Sequence, residues 1–173
     1  MLAEVFLIIF LKWILIGRYQ ETEAPMWSSF VYRSELVTSL YDNIVVPLFL
    51  EAFLGSPYIV YFLRLFGVNI GKYAFINTPY FSEFDLVKIG NSVCLNKDST
   101  IQTHLYEDRI FKMSTITIAD GCTVGDRSIL LYDTVMQNHS SLGNLSLLMK
   151  GEILYPSSDW EGIPSKRVYR SKF

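Results

Sequence analysis

The sequence predicts a mainly β protein, a parallel β-helix preceded by an apolar helical segment, and three observations carry that prediction. Aliphatic residues recur at a spacing of six: Ile89, Leu95 and Ile101, then, after one gap, Ile118, Val124, Leu130, Met136, Leu142 and Leu148. Neither a helix, with a period of about 3.6, nor a strand, with a period of about 2, sustains that spacing. A hexapeptide repeat is one short flat face of a β-helix, and its aliphatic residue points into a shared core. The second observation is a set of mostly small residues two positions earlier: Ser99, Cys122, Ser128, Thr134, Ser140 and Ser146, with Val93 and Ile116 in the same places. Small residues there let neighbouring coils stack closely. The third is a corner signature. Gly follows the aliphatic residue in Ile70-Gly71, Ile89-Gly90, Val124-Gly125 and Leu142-Gly143, and Asn91, Asp126 and Asn144 come next in the last three. Gly and Asn tolerate positive φ, which a sharp corner is expected to need.

The elements follow in order. Residues 1–67 read as an apolar helical segment. Residues 5–16 form an apolar run interrupted only by Lys12 and ended by Gly17-Arg18. Twelve residues are fewer than the roughly 20 that cross a bilayer, and no small-residue cleavage site follows. Two readings stand: an interfacial or buried helix with Trp13 and Arg18 at the membrane edge, or the end of a spanning helix in a longer polypeptide. In the second reading Arg18 places the following domain on the cytoplasmic side, and the expected location is cytoplasmic, at the inner face of the membrane. Ser28 or Ser29 caps a helix running to about Leu40, with Leu36, Leu40, Ile44 and Leu48 as its stripe. Pro47 kinks or restarts it. Ser56-Pro57 opens a second helix over 57–66, apolar on most faces and therefore needing cover.

Residues 68–155 read as the β-helix, roughly four to five coils with Ile70 and Ile76 in the first, and residues 156–173 as a C-terminal tail. Half the residues are hydrophobic, with 12 Phe and 11 Tyr, so a core is well supplied. The net charge of -2 and the lack of a Lys/Arg-rich run exclude a nucleic-acid footprint. Cys94 and Cys122 lack zinc spacing, and Cys122 falls on an inward small position.

The repeat breaks once, and a β-helix extrudes its insertions. The inserted loop, 102–114, reads Gln102-Thr103-His104-Leu105-Tyr106-Glu107-Asp108-Arg109-Ile110-Phe111-Lys112-Met113 and holds one of only two histidines. An imidazole is the usual general base near neutral pH, and a carboxylate can hold its tautomer. Local sequence alone supports equally a surface histidine beside solvated charges.

The hexapeptide pattern, the insertion bearing Thr103-His104 and Arg109, and the ending Trp160-Glu161-Gly162-Ile163-Pro164 resemble left-handed β-helix acyltransferases of the maltose and galactoside O-acetyltransferase type. The stretches Phe84–Gly90, Gln102–Arg109, Leu145–Glu152 and Trp160–Pro164 are closer still to the C-terminal domains of poly-lysine synthetase-like nonribosomal peptide synthetases. In those synthetases such domains follow transmembrane helices. The resemblance implies a left-handed coil, a homotrimer with a site between adjacent β-helices, and acyl transfer from a thioester to an amine or hydroxyl. It implies His104 as general base, with Glu83, Asp85 or Glu107 orienting it or the acceptor, and Thr78 and Arg109 contacting substrate. Coenzyme A would run along the last coils by Ser146, Lys150, Trp160, Lys166 and Arg167. Leu145 replaces a small residue there and would narrow that groove, so a phosphopantetheinyl carrier protein is the other expected donor. No metal is expected. Two further readings are a non-catalytic trimeric scaffold and a γ-carbonic-anhydrase-like hydratase using His104 and His139, for which a usual third histidine ligand is lacking.

Overall fold

The computed structural model describes residues 2–169; Met1 and residues 170–173, at the ends of the expected helical segment and tail, lie outside the described residues. From Asn69 onward the chain winds through three parallel sheets. One face stacks β2 (Asn69–Ile70), β4 (Val87–Ile89), β9 (Ile116–Ile118), β12 (Thr134–Met136) and β15 (Ile153–Leu154). The second stacks β3 (Phe75–Ile76), β5 (Cys94–Leu95), β10 (Thr123–Val124), β13 (Ser141–Leu142) and β16 (Asp159–Glu161). The third stacks β6 (Thr100–Gln102), β11 (Ile129–Leu131) and β14 (Leu147–Leu148). Registers place Ile89 on Ile118, Ile118 on Met136 and Met136 on Leu154. Leu95, Val124 and Leu142 form a second column, and Ile101, Leu130 and Leu148 a third. The nine residues of the repeat are all buried, eight of them at 0–1% exposure and the ninth, Ile89, at 4%. Three hexapeptides thus close one coil, and the inward register is the expected one. The stack continues past residue 155, because β16 pairs in parallel with β13 and puts Trp160 on Leu142.

The corners work differently from the expectation. Gly71, Gly90, Gly125 and Gly143 are not the residues with positive φ. That conformation falls two positions later, at Tyr73 (58°), Ser92 (54°), Arg127 (54°) and Leu145 (52°). The glycines are required by close approach: a Cβ on Gly71 would lie 2.6 Å from the Gly90 carbonyl carbon, and one on Gly125 2.5 Å from the Asn144 nitrogen. The polar corner side chains join coil to coil. Asn91 Oδ1 accepts from Lys72 N, Asp120 Oδ1 from Asn91 N, Asp126 Oδ1 from Lys97 N and Asn144 Oδ1 from Asp126 N.

Helix α1 (Leu2–Leu15) buries Val5, Ile8, Ile9 and Lys12 and exposes Phe6, Leu7, Phe10 and Ile14. Helix α2 (Ser29–Leu40) is capped by Ser28, whose side chain accepts from Val31 N. Its buried face is Val31, Ser34 and Val37, continued by Tyr41 and Val45 in a π-helical turn, Tyr41–Val45. The expected stripe is one position out of register, since Leu36 and Leu48 are half exposed. The widened turn precedes Pro47, which cannot donate into a continuous helix, and the chain restarts as α3 (Val46–Leu48). Helix α4 (Tyr58–Phe66) ends at Gly67 with φ of 119°, buries Ile59, Val60, Leu63 and Phe66, and turns Tyr58 and Tyr61 outward. Its Arg64 donates to the carbonyls of Ile70 and Gly71, satisfying the free edge of the first coil. At the other end β17 (Lys166–Val168) pairs antiparallel with β16.

The insertion is a hairpin rather than an irregular loop: β7 (His104–Glu107) and β8 (Ile110–Met113) pair antiparallel, and β1 (Thr22–Pro25) adds to β8. Its two turn residues, Asp108 and Arg109, have φ of 52° and 65°, the backbone that suits the twist of a two-residue hairpin.

Leu130→Asp places an unpaired carboxylate where exposure is 0%, and a loss of at least about 4 kcal/mol is expected. Leu145→Asn, at an exposed corner with positive φ, should be neutral to slightly stabilising because Asn tolerates that backbone. Thermal denaturation followed by circular dichroism measures both; an unchanged melting temperature for Leu130→Asp would contradict the register.

Candidate active site

The side chain at the centre is Glu83. It is 1% exposed, and its backbone is left-handed at φ 31° and ψ 65°. A non-glycine residue held there is strained, and such strain concentrates at functional sites. A buried carboxylate costs several kcal/mol unless it is paired and hydrogen-bonded, and two elements supply partners. The start of the hairpin brings Thr103, whose Oγ1 donates to Glu83 Oε2 at 2.7 Å, and His104, whose Nδ1 lies 2.7 Å from the same oxygen. Helix α2 brings Ser34, with Oγ 3.5 Å from Glu83 Oε1 and 3.2 Å from Tyr19 Oη.

The His104 ring lies against Phe111, centroids 4.6 Å apart, with Tyr106 edge-on at 5.7 Å. Nδ1 is committed to Glu83, which leaves Nε2 for chemistry. Burial by itself lowers the His104 pKa; the hydrogen bond and charge of Glu83, with a smaller contribution from Glu35, outweigh it and raise the value above 6.5. The imidazole lines an open pocket of about 280 Å³ with Tyr80, Ser82, Gln102, Thr38 and Asp42. Burial and the Glu35 charge push the Asp42 carboxyl up.

The other candidates lie elsewhere. Asp85 is not at His104: its Oδ2 accepts from Lys12 Nζ at 2.6 Å and from Tyr19 N at 3.1 Å. Lys12 is fully buried, so Asp85 is committed to neutralising it. Burial pushes the Lys12 ammonium below its ordinary value while Asp85 works against that. Glu107 faces away, because residues three apart on a strand point to opposite faces. It pairs instead with Lys150 and with Lys112, the latter at 3.4 Å, and the Lys150 hydrogen bond first of all holds its carboxyl below the usual range. Thr78 is fully buried, its Oγ1 donating to Ser99 O at 2.6 Å, and Arg109 is exposed at the hairpin tip. Ser146 is buried and accepts from Gly162 N at 3.0 Å. Trp160 donates to Ser158 Oγ at 2.8 Å, and Lys166 and Arg167 lie on β17. The residues expected to hold a coenzyme are thus spread along the last coils. Leu145 sits at a corner groove with Lys97, Asp126, Arg127 and Asn144. Sequence reasoning missed Ser34, Glu35 and Tyr106; Tyr106 donates to Glu35 Oε1 at 2.5 Å.

No protein-family model matches the chain. It is 47% identical over 155 residues to a delta-poly-L-ornithine synthetase of Acinetobacter baumannii (strain AB307-0294), covering 90% of this chain and spanning 12% of that protein. Among solved structures it is similar to a maltose O-acetyltransferase from Clostridium difficile 630, with a TM-score of 0.57 at 12% identity over 94% of this chain and 97% of that one. It is also similar to a galactoside acetyltransferase in complex with coenzyme A, with a TM-score of 0.53 at 13% identity over 96% and 80% of the two chains. A hexapeptide-repeat acetyltransferase from Vibrio cholerae O1 biovar eltor, complexed with acetyl coenzyme A, gives 0.54 at 12% identity over 81% and 91%. The chain therefore has the fold of hexapeptide-repeat acyltransferases.

A proton NMR titration of the two histidines should place His104 above 6.5. In Glu83→Gln only burial and the weaker Glu35 charge remain, and the value should fall below 6.5. Because the folded value is raised, the pair stabilises the fold fully below the unfolded value, and that contribution is lost as pH rises through the folded pKa. A His104 pKa unmoved by Glu83→Gln would show that the carboxylate does not set it.

Proposed function

We propose that this chain is a thioester-dependent acyltransferase module in which His104 is the general base and Glu83 holds its tautomer. The observation that carries the reading is the pairing of the buried Glu83 with the partly exposed His104, 2.7 Å apart, at the wall of an open pocket. An amine or hydroxyl in that pocket attacks the thioester carbonyl and gives its proton to His104 Nε2 as the new bond forms. The tetrahedral intermediate then expels the thiolate, which takes the proton back from the imidazolium. Glu83 stays ionised and stabilises the imidazolium between the two steps.

The fold shared with coenzyme A-bound acetyltransferases supports coenzyme A as one donor class, and Leu145 at the corner groove favours a phosphopantetheinyl carrier protein as the other. The resemblance to a delta-poly-L-ornithine synthetase supports transfer to an amine, that is, peptide-bond formation in a nonribosomal peptide synthetase-like system. We further propose a left-handed coil assembled as a homotrimer, with a mainly helical unit before residue 68 and a β-helix that runs from there past residue 155 to β16. Among the described residues no helix is long and apolar enough to cross a membrane. The exposed Phe6, Leu7, Phe10 and Ile14 of α1 suit an interfacial position at the inner face of the membrane.

Thiol release from acyl-coenzyme A and aminoacyl-pantetheine thioesters, with amine and hydroxyl acceptors, tests the activity. His104→Ala should lower turnover by about two to four orders of magnitude, the range general-base catalysis supplies, with the fold intact. The wild-type rate should rise with pH through the raised His104 pKa, since the base works as the neutral imidazole. A rate unaffected by His104→Ala would end the general-base role, and inertness toward every thioester would favour a non-catalytic scaffold. Light scattering in mild detergent should report three copies; a monomer at micromolar concentration would remove the trimer.

A further inference from the structure

A second pocket, of about 430 Å³, lies between the start of α2 and the hairpin and is lined by Tyr106, whose ring stands 5.7 Å from that of His104. Its walls are aromatic and acidic: Trp27, Tyr32 and Tyr106 with Glu35, completed by Met26 and Val31. Trp27 is 73% exposed and Tyr32 58%, and their rings stand 6.4 Å apart at 39°. Two large aromatic faces left open to solvent beside a carboxylate are chemically specific. The quadrupoles of the rings and the charge of Glu35 both attract an organic cation, and none of the lining residues is basic. Glu35 is already oriented, because its Oε1 accepts from Tyr106 Oη, which leaves Oε2 to receive a donor from a ligand.

We propose that Trp27, Tyr32, Tyr106 and Glu35 form a subsite for an organic ammonium group, which holds the charged end of a diamino acceptor while its other amine is presented to His104. The attacking amine must be neutral to be nucleophilic, so an ammonium in this pocket is not the reacting group. It is a second amine of the same acceptor, one aromatic ring away from the base. The presentation to His104 rests on the acyltransferase reading; binding in the subsite does not.

The test is therefore a binding measurement on the full chain, independent of turnover. 1,5-Diaminopentane is titrated by calorimetry and by tryptophan fluorescence, with 1-pentanol and maltose as uncharged controls. Saturable binding of the diamine alone is expected, weakened about tenfold by Trp27→Ala and by Glu35→Gln, as loss of a cation–π or charged contact implies. It should be unchanged in His104→Ala, and circular dichroism should confirm that each variant is folded. Equal binding of pentanol, competition by maltose, or binding indifferent to both Trp27→Ala and Glu35→Gln would overturn the proposal. So would a change of oligomeric state in Trp27→Ala with no diamine binding by the wild type, which would make the aromatic patch a contact between copies.

Discussion

Each coil must return to its own start displaced by one strand spacing, about 4.8 Å along the axis, and that closure governs most of what surrounds it. Ile118, Met136 and Leu154 lie on one another because three hexapeptides separate them. A single added residue would rotate every later side chain out of its column. An insertion is tolerated only where it leaves and re-enters at one corner, as the hairpin does between β6 and β9. The same closeness explains Gly71, Gly90 and Gly125, which the backbone of the next coil would clash with were a Cβ present. Closure also leaves two raw ends. The first is covered by α4 and the ring cluster of Tyr41, Phe66 and Phe84, with centroids 4.9–5.2 Å apart.

The site forms where that covered end meets the insertion. Glu83 belongs to the first coil, Thr103 and His104 to the exit of the second, and Ser34 to the helix laid across both. No one of these elements has reason to be polar there alone. Ser34 occupies the otherwise apolar buried face of α2, between Val31 and Val37, and Thr103 is fully buried. Each is compensated by Glu83, whose ionised form in turn needs them. Removing a partner from such a set leaves a buried group unsatisfied, at about 1–3 kcal/mol and more for a charge.

The repeat was legible because period six has no competing explanation in local structure, and the inward register follows from it residue by residue. The choice between Glu83 and Asp85 was not legible. Two acids two positions apart look alike in sequence, and what separates them are partners remote along the chain: Lys12, 73 residues from Asp85, and His104, 21 residues from Glu83. Lys12 itself read as a flaw in an apolar run, whereas it is the buried cation that needs Asp85. The hairpin was hidden by the same logic, since its third strand, Thr22–Pro25, comes from a segment with no alternation to mark it. Glu107 was the reverse case: adjacency to His104 suggested a partner, and strand alternation sends it to the opposite face.

The Lys12–Asp85 pair and the Glu83–His104 pair are not independent. Tyr19 joins them, its backbone N–H donating to Asp85 Oδ2 and its hydroxyl lying beside Ser34, which faces Glu83. Burial drives the Tyr19 hydroxyl well above its ordinary pKa, so it remains a neutral group across the working range of the imidazole. Helix α1 therefore does more than cover apolar surface. Undocking it would carry Lys12 away and leave the Asp85 carboxylate without its cation, and would loosen the segment whose Tyr19 bonds both Asp85 and Ser34. The position of α1, whose outward face is Phe6, Leu7, Phe10 and Ile14, is in this way coupled through hydrogen-bonded side chains to the carboxylate that sets the charge on His104.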